Sequence, residues 1–186
     1  MKKGFVCVSI ILSAVVVGAC AGGSMPPVNI SENSLIRTDL SILRAATQPY
    51  HNLDSAVAVG YPRVVKDCIV HEHHGAMGYH HVNRAYLDTK RDVTRPQILL
   101  YERMPDSTYR LNGVEFIIPY RLWPSDSVAP VMFGQTMHHE TNLKYWYLHV
   151  WAWLNNPDGL YANFNSNVNC PDSSSRKVYI ASPPEG

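Results

Sequence analysis

Five of the nine histidines in this 186-residue chain fall between His71 and Asn83, in the stretch HEHHGAMGYHHVN. Imidazole and carboxylate together can ligate borderline divalent metals or exchange protons near neutral pH. The stretch offers two different settings for that chemistry. His71, His73 and His74 crowd just before Gly75, where the choices are loose metal capture or a flexible polar loop. His138-His139-Glu140 presents the same pair of choices, and both clusters would gain charge below about pH 6.5. His80 differs, because it is embedded in a strand-like segment, Tyr79 to Asn83.

Three further polar groups share that embedded setting. In Lys144 to Leu154 (KYWYLHVWAWL), alternation puts Leu148, Val150 and Ala152 on one face and Tyr147, His149, Trp151 and Trp153 on the other. The second face is large, aromatic and carries one imidazole, so it is expected to line a concave pocket or to lie under residues 121–143. In Tyr109 to Pro119, Glu115 faces away from Val114 and Phe116; in Gln97 to Arg103, Glu102 faces away from Tyr101. A carboxylate inside an apolar strand needs a hydrogen-bond donor, an arginine, a proton or a metal. Arg103, Arg110 and Arg121 are available as partners.

A lone strand histidine is ordinarily a hydrogen-bonded core residue, and a lone glutamate is ordinarily solvated or ion-paired. Four together, His80, Glu102, Glu115 and His149, make a candidate set for Zn²⁺, Cu²⁺, Fe²⁺ or Mn²⁺, with Tyr147, Trp151 and Trp153 as pocket walls. Register argues against all four on one ion. A tight turn at Asp106-Ser107 pairs Glu102 with Leu111, leaving Glu115 four residues further on, roughly 13 Å away. No HExxH, EF-hand, compact Cys/His finger or GxSxG is present.

The elements that must position these groups follow from periodicity. Ser34 and the spacing of Leu35, Ile36, Leu40 and Leu43 predict a helix over 35–47. Pro49, Tyr50, Leu53, Val57 and Gly60 predict a second over 49–59. After Pro62 the pattern turns to short β runs, with Asn112-Gly113 a candidate bulge and residues 121–143 a long loop. Helices first and hairpin-like strands afterwards predict an α+β fold: two N-terminal helices on a curved antiparallel sheet.

The ends supply an address. Met1-Lys2-Lys3 followed by an uncharged apolar run reads as a signal peptide over residues 1–19. Val17-Gly18-Ala19-Cys20 resembles a bacterial lipobox, which would make Cys20 the acylated first residue and the membrane a partner through that lipid. Cleavage after Ala21 is the competing reading, giving a soluble secreted or periplasmic protein. Residues 20–33 read as a tether, 34–170 as one domain and 171–186 as a loose tail. Without Lys2 and Lys3 the formal charge passes from +1 to −1, and no basic stripe remains for nucleic acid. Cys68 and Cys170 form an even pair suited to a disulfide in an oxidising compartment.

GAMGYHHVN, ILLYE, GVEFIIP, FGQ and LHVWAWLNNPDGLYANFNSNVNC, in that order, resemble an uncharacterised family of exported bacterial proteins and lipoproteins. The resemblance runs from about the second helix to Cys170. It implies importance for His80, Glu102, Glu115 and His149, with Cys68 and Cys170 at the ends, and none for the HEHH and His138-His139 clusters. It implies no activity. By analogy of fold alone, the two-helix start and curved sheet resemble the NTF2-like cone. The resulting expectation is an exported, lipid-anchored domain that binds a metal or small ligand in an aromatic-lined His/Glu pocket. Its rivals are an acid/base or metal-dependent envelope enzyme and a structural envelope lipoprotein.

Overall fold

The computed structural model describes residues 34–63, 66–171 and 176–178. The expected signal peptide, the tether with Cys20, and the start of the first β run at Val64-Val65 lie outside the described residues.

The first helix, α1 (Ser34–Thr47), buries Leu40, Leu43 and Thr47 along one side. Pro49 opens a single 3₁₀ turn, Gln48–His51, and the short α2 (Leu53–Ala58) follows. Asn52 caps α2 by accepting from the Ser55 amide at 3.1 Å. The second predicted helix is thus two shorter pieces, broken where Asn52 takes an extended backbone.

Nine strands follow: β1 (Cys68–His71), β2 (Gly75–Val82), β3 (Ile98–Arg103), β4 (Tyr109–Pro119), β5 (Val131–Met132), β6 (Gln135–Thr136), β7 (His138–Glu140), β8 (Tyr145–Val150) and β9 (Arg176–Val178). Seven of them form one sheet in the order β7-β8-β4-β3-β2-β1-β9, and β5 pairs only with β6. The sheet is antiparallel except for the β1–β9 pair, and it curls strongly into a half-barrel, so the fold is α+β and cone-like. Sequence reading placed residues 176–178 in the tail; they close one sheet edge as β9. It read residues 121–143 as a loop; that stretch carries β5, β6 and β7.

The two faces of the sheet have different cores. On one, Leu99, Val114, Phe116, Leu148 and Val150 pack with Leu40, Leu43 and Ala56 of the helices. On the other, Ile98, Leu100, Ile117 and Trp151 pack with Cys68 and Cys170. The alternation predicted for β4 and β8 is therefore the alternation seen. Burying several such side chains stabilises the fold by about 1.5–3 kcal/mol apiece.

Two bulges aim the strands. Asn112 is the extra residue of β4, because Leu100 pairs with Gly113 and Tyr101 pairs with Leu111. The second lies between β1 and β2, where Ile69 pairs with Gly78 but Val70 pairs with Ala76. Gly78 there has φ +94°, and a Cβ would meet the Tyr101 carbonyl oxygen at 2.4 Å. Only glycine fits, and the bend sits two residues before His80.

Cys68 and Cys170 form a disulfide across 102 residues of sequence. It ties β1 to the segment after β8. Loop-closure entropy for that separation corresponds to ~4–5 kcal/mol. Urea unfolding of the Cys68→Ser, Cys170→Ser double variant should show a loss of that order; a loss under ~1 kcal/mol would mean that the unfolded chain is not constrained by this bond.

Candidate metal centre

β4 and β8 bring two of the polar groups together directly. Glu115 and His149 are cross-strand partners, and their side chains point to the face away from the helices. On its other side Glu115 pairs with Ile98 of β3, and Ile98 pairs with Val82 of β2. His80 sits two residues before Val82, two strands away from Glu115. Flat strands would hold their backbones about 10 Å apart. The curl closes part of that gap and the long side chains span the remainder.

The result is a compact triangle. His80 Nε2 lies 3.6 Å and His149 Nε2 3.9 Å from Glu115 Oε2, and one ligand atom of each of the three residues lies within 4.8 Å of the others. All three residues are buried, with His149 only 1% exposed. Gln97 supports β4 here by accepting from the Ile117 amide at 3.0 Å.

Electrostatically the triangle is costly as it stands. Both nitrogens of His149 and Nδ1 of His80 are buried without a well-formed hydrogen bond; Asn163 beside His149 and the Gly78 backbone beside His80 give only loose polar contacts. Burial, with a smaller contribution from the charge of Glu140, pushes the Glu115 carboxyl up to about 8. Burial, with His80 and then His138 adding repulsion, pulls the His149 imidazole down to about 3. Burial likewise pulls His80 down to about 4. Neutral imidazoles with exposed lone pairs, facing a carboxyl that resists ionisation, are what a cation would relieve.

The triangle forms the polar floor of a cavity of about 530 Å³. Ile69, Met77, Val82, Ile98 and Ile117 supply apolar wall, and Tyr145 and Tyr147 supply the aromatic part. The Tyr147 hydroxyl accepts from Asn163 at 2.9 Å. The exposed lining residues Asn142, Leu143, Lys177 and Val178 mark the mouth, and Glu140, buried, lines the interior.

The remaining sequence candidates lie elsewhere. Glu102 is on the same face as Glu115 but four residues along β3 from the Ile98 row, about 13 Å away. It pairs with Arg110, not Leu111, because the turn is centred on Asp106 itself and not between Asp106 and Ser107. Arg110 donates to Oε2 at 2.6 Å, Asn112 donates to Oε2 at 3.1 Å, and the Asn169 amide donates to Oε1 at 3.0 Å. Glu102 is thus a fastener for the segment leading to Cys170. Trp151 shares the His149 face, its ring nearly parallel and 6.4 Å away, but it packs into the disulfide cluster and donates to the Ala162 carbonyl. Trp153 crosses to the helix side, where it donates to Thr47 Oγ1 at 3.1 Å and meets the His51 ring edge-on. The cause is local: β8 ends at Val150, and the Ala152 amide turns back to the Val150 carbonyl, which breaks the alternation.

The histidine-rich clusters are at the surface. His73 and His74 are exposed, and His71 packs beside Phe164. His139 stacks on Trp146 with centroids 3.8 Å apart and pairs with the Tyr120 hydroxyl. Sequence reading placed Glu140 in a loop cluster with His138 and His139, not in the cavity, and did not single out the mouth residues. The signal for them was the ETNLKY stretch, a short turn between β7 and β8 in which Lys144 takes φ +62°.

Comparison with protein-family models, with curated proteins and with solved structures returned no match.

Linkage gives the metal-free protein a distinctive pH profile. Between pH 6.5 and 8 the folded state keeps the Glu115 proton and the unfolded state does not, so stability falls as pH rises. Between about 4.5 and 6.5 the unfolded state takes up protons on His80 and His149 that the folded state refuses, and His81 acts in the same sense, so stability falls as pH drops. Denaturant midpoints should therefore peak near pH 6.5 and lose ~2 kcal/mol by pH 8. Glu115→Gln should flatten the alkaline arm and steepen the acid arm, because folded Glu115 holds its proton across the whole window from 4.5 to about 8. An unchanged alkaline arm in that variant would contradict the assignment.

Proposed function

We propose that this chain is an exported, lipid-anchored domain that binds one divalent transition-metal ion through His80, Glu115 and His149. The observation that carries the reading is the triangle itself. Three potential donors, drawn from three strands, meet in a buried hollow where the imidazole nitrogens have no well-formed hydrogen bond. Donors about 2.0–2.1 Å from a tetrahedral ion stand about 3.3 Å apart. The separations of 3.6 and 3.9 Å from Glu115 need a small contraction to reach that spacing, and the edge between the two imidazoles, within 4.8 Å, closes by rotation of the histidine side chains. They are also longer than a hydrogen bond, so they suit an ion between the groups better than a proton shared by them.

Two imidazoles and one carboxylate match zinc sites that keep an open position, and the facial arrangement used for Fe²⁺. The open side here faces the cavity. Support for export comes from the lipobox at Cys20 and from the disulfide, which suits an oxidising compartment.

Purified mature domain, stripped with chelator and reloaded with Zn²⁺, should bind close to one ion per chain by elemental analysis. His149→Ala and His80→Ala should lower affinity at least a hundredfold, while Glu102→Gln should keep it. Equal, negligible metal in wild type and His149→Ala after loading would overturn the proposal.

A further inference from the structure

The cavity beside the triangle has a chemistry of its own, a buried polar cluster set in apolar wall. His80, Glu115 and His149 form that cluster, the floor of the cavity, each under 9% exposed. Ile98, Ile117 and Met77, equally buried, supply the apolar wall. Leu143 and Val178 stand at the opening, 67% and 55% exposed. Large aliphatic side chains left in water at the rim of a mostly apolar hollow mark a path for an apolar guest. Lys177 stands at the exposed opening, whereas Glu140, 8% exposed and accepting from the Asn142 amide at 2.9 Å, brings a second buried carboxylate into the cavity outside the donor triangle.

Charge at the floor specifies the head. One carboxylate and two neutral imidazoles around a divalent cation leave a net +1 at the ion itself, while the Glu140 carboxylate, outside the donor triangle, is matched by the opposite charge of Lys177 on the same cavity lining. A monoanion that also donates an oxygen lone pair would complete the coordination and cancel that charge. From this geometry we infer that the cavity takes a small monocarboxylate with an apolar body, its carboxylate directed at the metal on the His80–Glu115–His149 floor and its body along the Ile98–Ile117 wall toward Leu143. The volume of about 530 Å³ is within the range for small organic ligands. The guest's carboxylate oxygen would take the open coordination position, and no covalent bond of the guest is made or broken.

The inference rests on the metal reading, and the test separates the two. Zinc content of the loaded protein is measured first. Octanoate, acetate and 1-octanol are then titrated calorimetrically into zinc-loaded and chelator-stripped protein. Octanoate carries six more methylenes than acetate, each adding roughly a fourfold gain when buried. Zinc-loaded protein should bind octanoate at least a hundredfold tighter than acetate and at least tenfold tighter than 1-octanol. Stripping the metal should remove the preference for the carboxylate over the alcohol. Leu143→Asp, at an exposed position away from the floor, should keep one zinc per chain yet weaken octanoate at least fivefold. Zinc binding with octanoate no better than acetate would overturn the ligand class and leave the metal site standing. Octanol equal to octanoate would overturn the head-group assignment. Failure to take up zinc would overturn both.

Discussion

A buried carboxyl group facing two buried imidazoles is the constraint around which this protein is organised. None of the three can ionise cheaply in place, and the imidazole nitrogens have few neighbours to bond. An apolar core of the same shape would be more stable. The sheet nonetheless devotes the centre of β2, β4 and β8 to these groups. Their shared reach toward one point is what makes a bound cation the natural resolution.

The surrounding architecture serves that convergence. Curl brings β2 within side-chain reach of β4 across the intervening β3, and the bulge at Gly78 bends β2 just before His80. Helices α1 and α2 seal the opposite face, so strand positions on the site face are spared from packing duty against them. Away from the floor, Glu102 and the disulfide bind the chain after β8 to β3 and β1. That region is built to stay put, which suits a site whose donors must be held within fractions of an ångström.

Much of this was legible in the residues. Period-two alternation placed Glu115 and His149 on the face away from the helices, and counting cysteines paired Cys68 with Cys170. What escaped was most of what depends on a single-residue offset. The hairpin turn decides that Glu102 meets Arg110 instead of Leu111, and no propensity scale reveals such a shift, although the bulge at Asn112 was legible from Asn112-Gly113. Trp153 left its expected face because β8 stops at Val150, although the hydrophobic pattern runs on to Leu154. Glu140 was hidden because β7 is three residues long and is held in place by pairing with β8 rather than by its own sequence.

X-ray absorption at the zinc edge of the loaded protein tests the central claim most directly. The account predicts about two imidazole nitrogens and at least one carboxylate oxygen near 2.0–2.2 Å, with the outer-shell scattering of histidine rings. A spectrum with sulfur ligands, or with oxygen alone and no imidazole signature, would contradict it.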